Sequence, residues 1–327
     1  MEQILTEVRR RERRRFDVIS EYGFFVPYLI GRRVIGLPGP RILSLLGLLI
    51  WLANGHSIFR FLAPRNGPFL TELAWSEVVI AQLLINFEGR SRPMRLIARC
   101  GAWWLRSLAG TRVDAAKAAP ADQTLLSALW AVRDEFKGGT TGVTDAVYRE
   151  HVVSIVMELL STILLVPGEG FYGILDRWLA PDGPGLEPSL RQLGQMDAEE
   201  FVQEQLRLAP PSAHLLRNAT GPVELAGLTV AADEYVCALV KSAGIDIPNS
   251  PRVVRAGRSP TDYLHFGPVG GPHLCRGHLL SPSILAEMFL GLSRVPGLAV
   301  RGRPTNCLGT APGRLMVKFS KRAGTAP

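Results

Sequence analysis

The sequence predicts a mainly α-helical protein with a small β region in its C-terminal half. Long stretches before residue 220 place apolar residues at helical period, whereas two short runs between residues 223 and 240 alternate as strands do. The 33 glycines and 24 prolines divide the chain into many elements. The chain has 327 residues, 47% of them hydrophobic, which is enough for one large core, so we expect a single domain over residues 1–327.

The first part of the chain is predicted to consist of helices separated by proline, glycine and polar breaks. Pro38 and Pro40 end the first helix, and the polar, alanine-rich stretch 110–123 is predicted to be a loop. The predicted helices cover residues 1–35, residues 41–62, residues 69–109 as a pair, and residues 124–137.

The most apolar long helix is predicted over residues 145–166. Thr144 is a suitable N-cap residue, and Asp145 places a negative charge in the first turn. Pro167 and Gly168 are predicted to end the helix. Apolar residues lie almost all round it, so we expect it to be buried on most sides.

The pattern changes after residue 220. Short strands are predicted within residues 223–230 and 235–240, followed by coil over residues 247–262. A last helix is predicted over residues 280–295 and a terminal strand over residues 313–320. The sheet-forming part is therefore small and follows most of the helices.

The chain is basic, with 37 lysines and arginines against 29 acidic residues and a formal net charge of +8. A basic surface attracts anionic partners, among them an acidic electron-donor protein. The arginine cluster at residues 9–15 is interpreted as a solvated helix face. Nucleic-acid binding is not expected, because neither interleaved aromatic residues nor a known nucleic-acid-binding signature accompanies this cluster.

Cysteine usage and the longest apolar run suggest a cytoplasmic protein without a transmembrane span. The run, residues 42–53, has twelve residues, short of the ~20 that a spanning helix needs. It is interpreted as a buried core helix, with a shallow interfacial contact as the alternative. The cysteines show neither metal-ligand spacing nor a disulfide framework: they are Cys100, Cys237, Cys275 and Cys307.

Cys275 lies in a glycine-rich loop that runs from Phe266 to Gly277. Because such a loop carries little side-chain bulk, its backbone can pass close under a flat macrocycle. Its free N–H groups can also tune the electron donation of a thiolate. The loop therefore makes Cys275 a candidate axial ligand of haem iron, with a structural free cysteine as the simpler alternative, and the assignment depends on a second motif.

Glu204 and Arg207 form a second motif. Their spacing places both on one helix face with the acid N-terminal. Such pairs are often solvated and contribute little to stability. Here Pro210 and Pro211 end the helix directly afterwards, which favours a more specific role.

Together these motifs resemble the cytochrome P-450 haem–thiolate superfamily over almost the whole chain. Glu204 and Arg207 match its E-x-x-R pair, and Cys275 matches its iron ligand. The resemblance implies the cytochrome P-450 fold, haem b (iron protoporphyrin IX) as cofactor, and a monooxygenase that oxidises a hydrophobic small molecule or lipid. It implies propionate contacts by Arg217 and His273, and places Phe266, Gly271 and Gly277 in the thiolate loop.

Two departures from the family pattern affect this loop and its support. Phe266 lies nine residues before Cys275 rather than seven, so it is not expected to shield the sulfur as its counterpart does. The family's P-x-R-F element is replaced by Pro-Arg-Val-Val at residues 251–254. Arg252 or Arg255 is therefore expected to complete the structural network of Glu204 and Arg207.

A third departure concerns proton delivery. Ser161 and Thr162 match the alcohol positions of an acid–alcohol pair that supplies protons for O–O cleavage in family monooxygenases, but Leu160 replaces the acid. Glu158 is two residues away, about 200° round a helix. A peroxide already contains a reduced O–O bond and needs less relay, so a peroxygenase or hydroperoxide isomerase without a redox partner is the alternative hypothesis. A different register, or water in the place of the acid, is the simpler explanation.

Fifteen residues precede the segment from Phe16 to Pro40 that resembles the family's first D-V…G-x-P element. Relatives carry a further block before it, so the fold is expected to lack part of its N-terminal block. A partner chain or dimer that covers the haem, an adapted fold and a start codon further upstream are the alternatives. A shortened, non-catalytic haem-binding or scaffold subunit is the remaining functional hypothesis.

Overall fold

The computed structural model describes ten segments of the chain. Their residues group into two compact units, one formed by residues 1–168 with residues 296–327, the other by residues 169–295. A single domain remains a prediction. The described segments are residues 15–36, 92–118, 124–139, 142–246, 254–259, 263–267, 270–271, 274–295, 297–305 and 314–318.

The described part of the first unit begins with a strand, where the sequence predicted part of a helix over residues 1–35. Strand β1 (Arg15–Asp17) pairs antiparallel with β7 (Arg314–Lys318), and β7 pairs antiparallel with β6 (Ala299–Thr305). The helix prediction is wrong here because the partner strand lies at the far end of the chain, where local periodicity cannot reveal it. Strand β7 confirms the strand predicted over residues 313–320.

Helix α1 (Phe25–Ile35) follows a π-helical turn at Ile19–Gly23. It ends at Gly36, whose φ of 84° is the left-handed conformation that glycine adopts most easily. This end comes before Pro38 and Pro40, which lie outside the described residues. The apolar helix predicted over residues 41–62 also lies outside them.

Helix α2 (Arg92–Ala118) extends nine residues into the stretch 110–123 that was predicted to be a loop. That prediction is wrong because alanine is the strongest helix former and the helix buries an apolar stripe. The part of the predicted helix pair 69–109 before Arg92 lies outside the described residues. The buried stripe consists of Leu105, Ala109, Val113 and Ala116.

The single helix predicted over residues 124–137 is two short helices, α3 (Leu125–Ala131) and α4 (Arg133–Gly139). The Thr124 side chain caps α3 by accepting a hydrogen bond from the N–H of Ser127 at 3.2 Å. The prediction of helix is thus confirmed, and the break near Val132 was missed.

Helix α5 (Asp145–Trp178) begins where predicted, with the Thr144 hydroxyl accepting a hydrogen bond from the N–H of Val147 at 3.3 Å. Its predicted end at Pro167 is wrong, because the helix continues through this proline to Trp178. In the first unit, the guanidinium of Arg149 on α5 donates to both carboxylate oxygens of Asp114 on α2 at 2.7 Å.

The second unit packs three further helices, α6 (Leu186–Leu193), α7 (Ala198–Leu208) and α9 (Leu280–Ser293). Helix α9 confirms the helix predicted over residues 280–295. An aromatic cluster fills the core of this unit. Its ring centroids lie 4.8 Å apart for Phe171 and Phe289, 4.9 Å for Trp178 and Phe289, and 6.1 Å for Trp178 and Phe201.

Two small antiparallel sheets follow α7. Strand β2 (Leu215–Asn218) pairs with β5 (Tyr235–Ala238), and β3 (Val223–Leu225) pairs with β4 (Leu228–Val230). These strands confirm the β region predicted between residues 223 and 240. Helix α8 (Val240–Ile245) comes directly afterwards.

The fold class, mainly α with a small β region, is confirmed. None of the described helices combines the length and the apolar character that crossing a bilayer requires.

Candidate functional site

Cys275 stands at the end of a loop in the second unit. Its N–H donates to the carbonyl of Phe266 at 2.8 Å, which closes the loop. Its sulfur accepts a hydrogen bond from the N–H of Gly277 at 3.4 Å. The thiol is exposed and forms no disulfide. The sulfur is therefore accessible and accepts one backbone hydrogen bond.

Short 3₁₀ turns hold the two ends of this loop. The first turn, Leu264–Phe266, ends at Gly267, whose φ of 87° only glycine adopts without strain. The second turn, Arg276–His278, leads directly into α9. A Cβ atom at Gly277 would lie 3.5 Å from the Cys275 sulfur, so glycine leaves this side of the thiol open.

The other residues predicted for this loop differ in what they contact. The ring of Phe266 packs on His265, with ring centroids 4.5 Å apart, while its carbonyl holds Cys275. The carbonyl of Gly271 accepts the N–H of Leu274 at 3.1 Å. His273 lies outside the described residues. The loop thus brings together Phe266, Gly271, Cys275 and Gly277.

Glu204 and Arg207 form a fully buried ion pair on α7. The Nε and Nη2 atoms of Arg207 each donate to one oxygen of the Glu204 carboxylate at 3.1 Å. The remaining Nη1 donates to the carbonyl of Gly244 in α8 at 2.6 Å. Because both side chains have no exposure to solvent, this pair joins two helices of the second unit and cannot itself meet a substrate.

Arg258 and the backbone of Arg255 join the network, for which the sequence predicted Arg252 or Arg255. The Nε atom of Arg258 lies 2.8 Å from Glu204 Oε1, and the backbone N–H of Arg255 donates to Oε2 at 3.1 Å. Arg252 lies outside the described residues. Three arginines occur between residues 252 and 258, but sequence alone does not show which one turns inward.

The environment of Glu204 favours its charged form. Burial by itself raises the pKa of this carboxyl, but the hydrogen bonds from Arg207, Arg258 and the Arg255 backbone outweigh it and hold the pKa below its ordinary value. Glu204 is therefore a carboxylate at neutral pH and a structural anchor.

Arg217 lies in strand β2 with an exposed side chain. Its Nη1 donates to the carbonyl of Leu216 at 2.9 Å. Among the described acidic side chains, none forms an ion pair with it within 4.0 Å. The guanidinium is therefore available to bind an anionic group.

Ser161 and Thr162 lie on α5 in the first unit, whereas Cys275 belongs to the second. The Thr162 hydroxyl is exposed and donates to the carbonyl of Glu158 at 3.0 Å. Its donor is thus used within the helix, while its oxygen can still accept a hydrogen bond.

These residues fit a haem group. An accessible thiol with a backbone N–H directed at its sulfur is the chemistry of an axial thiolate ligand. The exposed guanidinium of Arg217, in the same unit, suits a propionate.

Comparison with known proteins agrees with this chemistry. No protein-family model matches the chain. A 106-residue segment is 32% identical to cytochrome P450 NovI of Streptomyces niveus, a match that covers 32% of this chain and 26% of NovI. A segment is 30% identical over 157 residues to the bifunctional dioxygenase–epoxy alcohol synthase of Fusarium oxysporum (strain Fo5176), covering 41% of this chain and 12% of that protein. Both matches thus cover less than a third of the relatives' own length.

The similarity to a solved structure extends over the whole chain. The crystal structure of P450BioI, in complex with acyl carrier protein ligated to hexadec-9Z-enoic acid, matches with a TM-score of 0.68 and 20% identity. The match covers 98% of this chain and 73% of that chain. The fold is therefore the cytochrome P450 fold, and one segment of the chain is similar in sequence to a cytochrome P450.

Proposed function

We propose that the protein is a haem–thiolate oxidoreductase, a cytochrome P450-type monooxygenase that oxidises a hydrophobic small molecule or lipid. The observation that carries this proposal is the exposed, unbridged Cys275 thiol, held by Phe266 and facing the N–H of Gly277. The cytochrome P450 fold supports it.

Each residue of the site has a definite task in this proposal. Cys275 would ligate the iron, and Arg217 and His273 would hold the propionates. Glu204 and Arg207 would fix the helix against which the loop rests. When bound, the haem supplies the oxidising chemistry, while the thiolate donates electron density that favours O–O cleavage.

The substrate class is proposed from the comparisons. The solved structure of P450BioI contains a hexadec-9Z-enoic acid attached to acyl carrier protein. A fatty acyl or similarly apolar substrate is our proposal for this chain as well. A redox partner protein would then supply electrons, and a carrier protein is a second kind of partner that this comparison suggests.

The peroxide-dependent alternative has its own support. The Thr162 hydroxyl donates to its own helix, and Leu160 stands where an acid is expected. The Fusarium relative is named as a dioxygenase joined to an epoxy alcohol synthase. We therefore keep a peroxygenase or hydroperoxide isomerase, which needs no redox partner, as the second candidate function.

The Cys275→Ala variant tests the ligand. The wild-type protein, expressed with ample haem precursor, is expected to show a thiolate-type Soret shift when reduced and exposed to carbon monoxide. Cys275→Ala is expected to lose that shift completely, because alanine offers no atom to the iron.

Cys237→Ala is the matched control, since Cys237 is also an exposed free cysteine in the second unit. It is expected to keep the full shift. A colourless wild-type protein, or the same spectrum in wild type and Cys275→Ala, would overturn the proposal.

A further inference from the structure

His265 connects the thiolate loop to helix α7. It lies in the 3₁₀ turn Leu264–Phe266, and its Nε2 atom is 2.9 Å from Oε1 of Gln203 on α7. The next residue, Phe266, provides the carbonyl that holds the N–H of Cys275 at 2.8 Å. Gln203 on α7 is therefore linked to Cys275 by two hydrogen bonds and by the backbone that joins His265 to Phe266.

The geometry defines the protonation state of this histidine. An amide oxygen only accepts hydrogen bonds, so Nε2 carries the proton that points at Gln203. The other ring nitrogen, Nδ1, is buried and has no hydrogen-bond partner among the described residues. A proton on Nδ1 would be a buried donor without an acceptor. This arrangement therefore favours the neutral imidazole over the imidazolium cation.

Charged groups surround the turn on several sides. Glu204 and Arg207 face His265 from α7, and Tyr263 lies beside it with ring centroids 5.9 Å apart. Helix α8 also contacts the turn, and its Lys241 and the following Asp246 are exposed. Glu204 is already engaged by Arg207 and Arg258. Its charge is therefore largely compensated by these partners.

We propose that His265 is a positioning residue for the thiolate: its neutral imidazole holds the Leu264–Phe266 turn against α7, and its protonation releases the turn and with it the Cys275 loop. The expected effect on haem binding rests on the proposed function. The loop movement itself concerns only this chain.

The direction of the pH effect follows from the burial of the ring. Burial, with a smaller contribution from Arg207, lowers the pKa of His265 to about 4, although Glu204 acts in the opposite sense. In the released turn the imidazole regains its ordinary pKa of 6.5. Acid therefore favours the released turn. From pH 7.5 to pH 5 the ratio of released to docked form rises about thirtyfold, because the ring of the released form binds a proton and the docked ring stays largely neutral.

Hydrogen exchange at different pH values tests this proposal. Protection of the amides in residues 264–267 and 274–279 is measured by mass spectrometry at pH 7.5 and pH 5 for wild type and His265→Gln. Glutamine can donate an N–H to Gln203 but does not titrate. At a given pH the intrinsic exchange rate is the same for both proteins, so their comparison cancels it. The wild type is therefore expected to lose about thirtyfold more protection than His265→Gln on acidification.

Two further variants complete the design. His265→Ala is expected to show low protection already at pH 7.5, because it removes the bond to Gln203. His214→Gln replaces an exposed histidine of the same unit and is expected to behave as wild type at both pH values. If His265→Ala does not fold, the comparison of wild type with His265→Gln alone decides whether His265 has the positioning role.

Haem retention provides the second readout. The wild type is expected to lose its Soret band between pH 6.5 and pH 4, whereas His265→Gln is expected to keep it to lower pH. Identical protection profiles in wild type and His265→Gln would overturn the positioning role even if haem binds. A protein without a Soret band at any pH would overturn the proposed function, while the exchange comparison would still decide the role of His265.

Discussion

Glu204 is a buried carboxylate held by two guanidinium groups and one backbone N–H. Glu204→Gln keeps the shape but removes the carboxylate charge that faces Arg207 and Arg258. We expect it to lower the free energy of unfolding by about 3–5 kcal/mol, because the buried guanidinium of Arg207 then loses the charge of its ion-pair partner. The midpoint of urea unfolding measures this loss.

The exposed pair of Glu187 and Arg191, 3.5 Å apart on α6, is the matched control. Glu187→Gln should change the free energy of unfolding by less than ~0.5 kcal/mol. Because the pKa of Glu204 is lowered in the folded protein, its contribution is present above the ordinary value of 4.5 and is lost below it. The two variants should therefore differ most at neutral pH, and equal losses would contradict the anchoring role.

At the scale of single residues, short motifs could be found from the sequence, whereas partners that are distant along the chain could not. Cys275, Gly277 and the pair of Glu204 with Arg207 are defined by spacings of two or three residues. Arg258 reaches Glu204 from more than fifty residues away, and the bond between His265 and Gln203 spans 62 residues. Nothing in the local pattern distinguishes these side chains from solvated ones.

At the scale of elements, helix α5 shows how packing overrides a local break. Pro167 lacks an N–H and usually ends or kinks a helix. Here Pro167 is buried inside α5, and the residues beyond it carry Phe171, Ile174 and Trp178 into the core of the second unit. Burial of these side chains outweighs the lost hydrogen bond, and this could not be predicted before the core was known.

Gly168 is the next residue of α5, and it allows the ring of Phe24 to pack closely in the first unit. A Cβ atom at this position would overlap the aromatic ring, which is itself buried. We expect Gly168→Ala to lower the free energy of unfolding by about 1–3 kcal/mol, as overpacked cores do. Thermal unfolding followed by circular dichroism measures the effect.

Gly138, in α4, has no atom within 4 Å of an added Cβ. Gly138→Ala should therefore stabilise the protein by about 0.5–1 kcal/mol through helix propensity alone. If both alanine variants gained stability, Phe24 would not be packed against α5 as described.

The whole molecule carries a formal net charge of +8, which would affect its encounter with the proposed electron donor. Association with an acidic electron-transfer protein should slow about tenfold or more between low and high salt, since steering by opposite charge is screened. Turnover with hydrogen peroxide needs no such encounter. We therefore expect donor-driven turnover to fall steeply between 0.02 and 0.5 M salt, by roughly the same factor, and peroxide-driven turnover to change little.

Steady-state rates with each oxidant over this salt range separate the two candidate functions. A protein that turns over only with peroxide belongs to the peroxygenase alternative. Equal salt dependence of both reactions would contradict electrostatic steering by the net charge.

The fold class, mainly α with a small β region, was predictable because its order of elements is largely local, whereas the cytochrome P450 fold was expected only from the family resemblance. Helices and the small β region follow periodicities that the sequence displays. Strand β1 was missed because it exists only through pairing with β7, near the other end of the chain. The place of Ser161 and Thr162 on α5 could be found, whereas the partner of the Thr162 hydroxyl could not.

Trp178 lies fully buried between Phe201 and Phe289, and its indole N–H donates to Gln205 on α7 at 2.8 Å. The same helix carries Gln203, which holds His265, and Glu204. An indole in dry surroundings fluoresces at shorter wavelength than one in contact with water. Loosening of α7 that admits water beside this ring will shift its emission to the red, so the second unit contains an intrinsic optical probe of the helix that contacts the turn preceding the Cys275 loop.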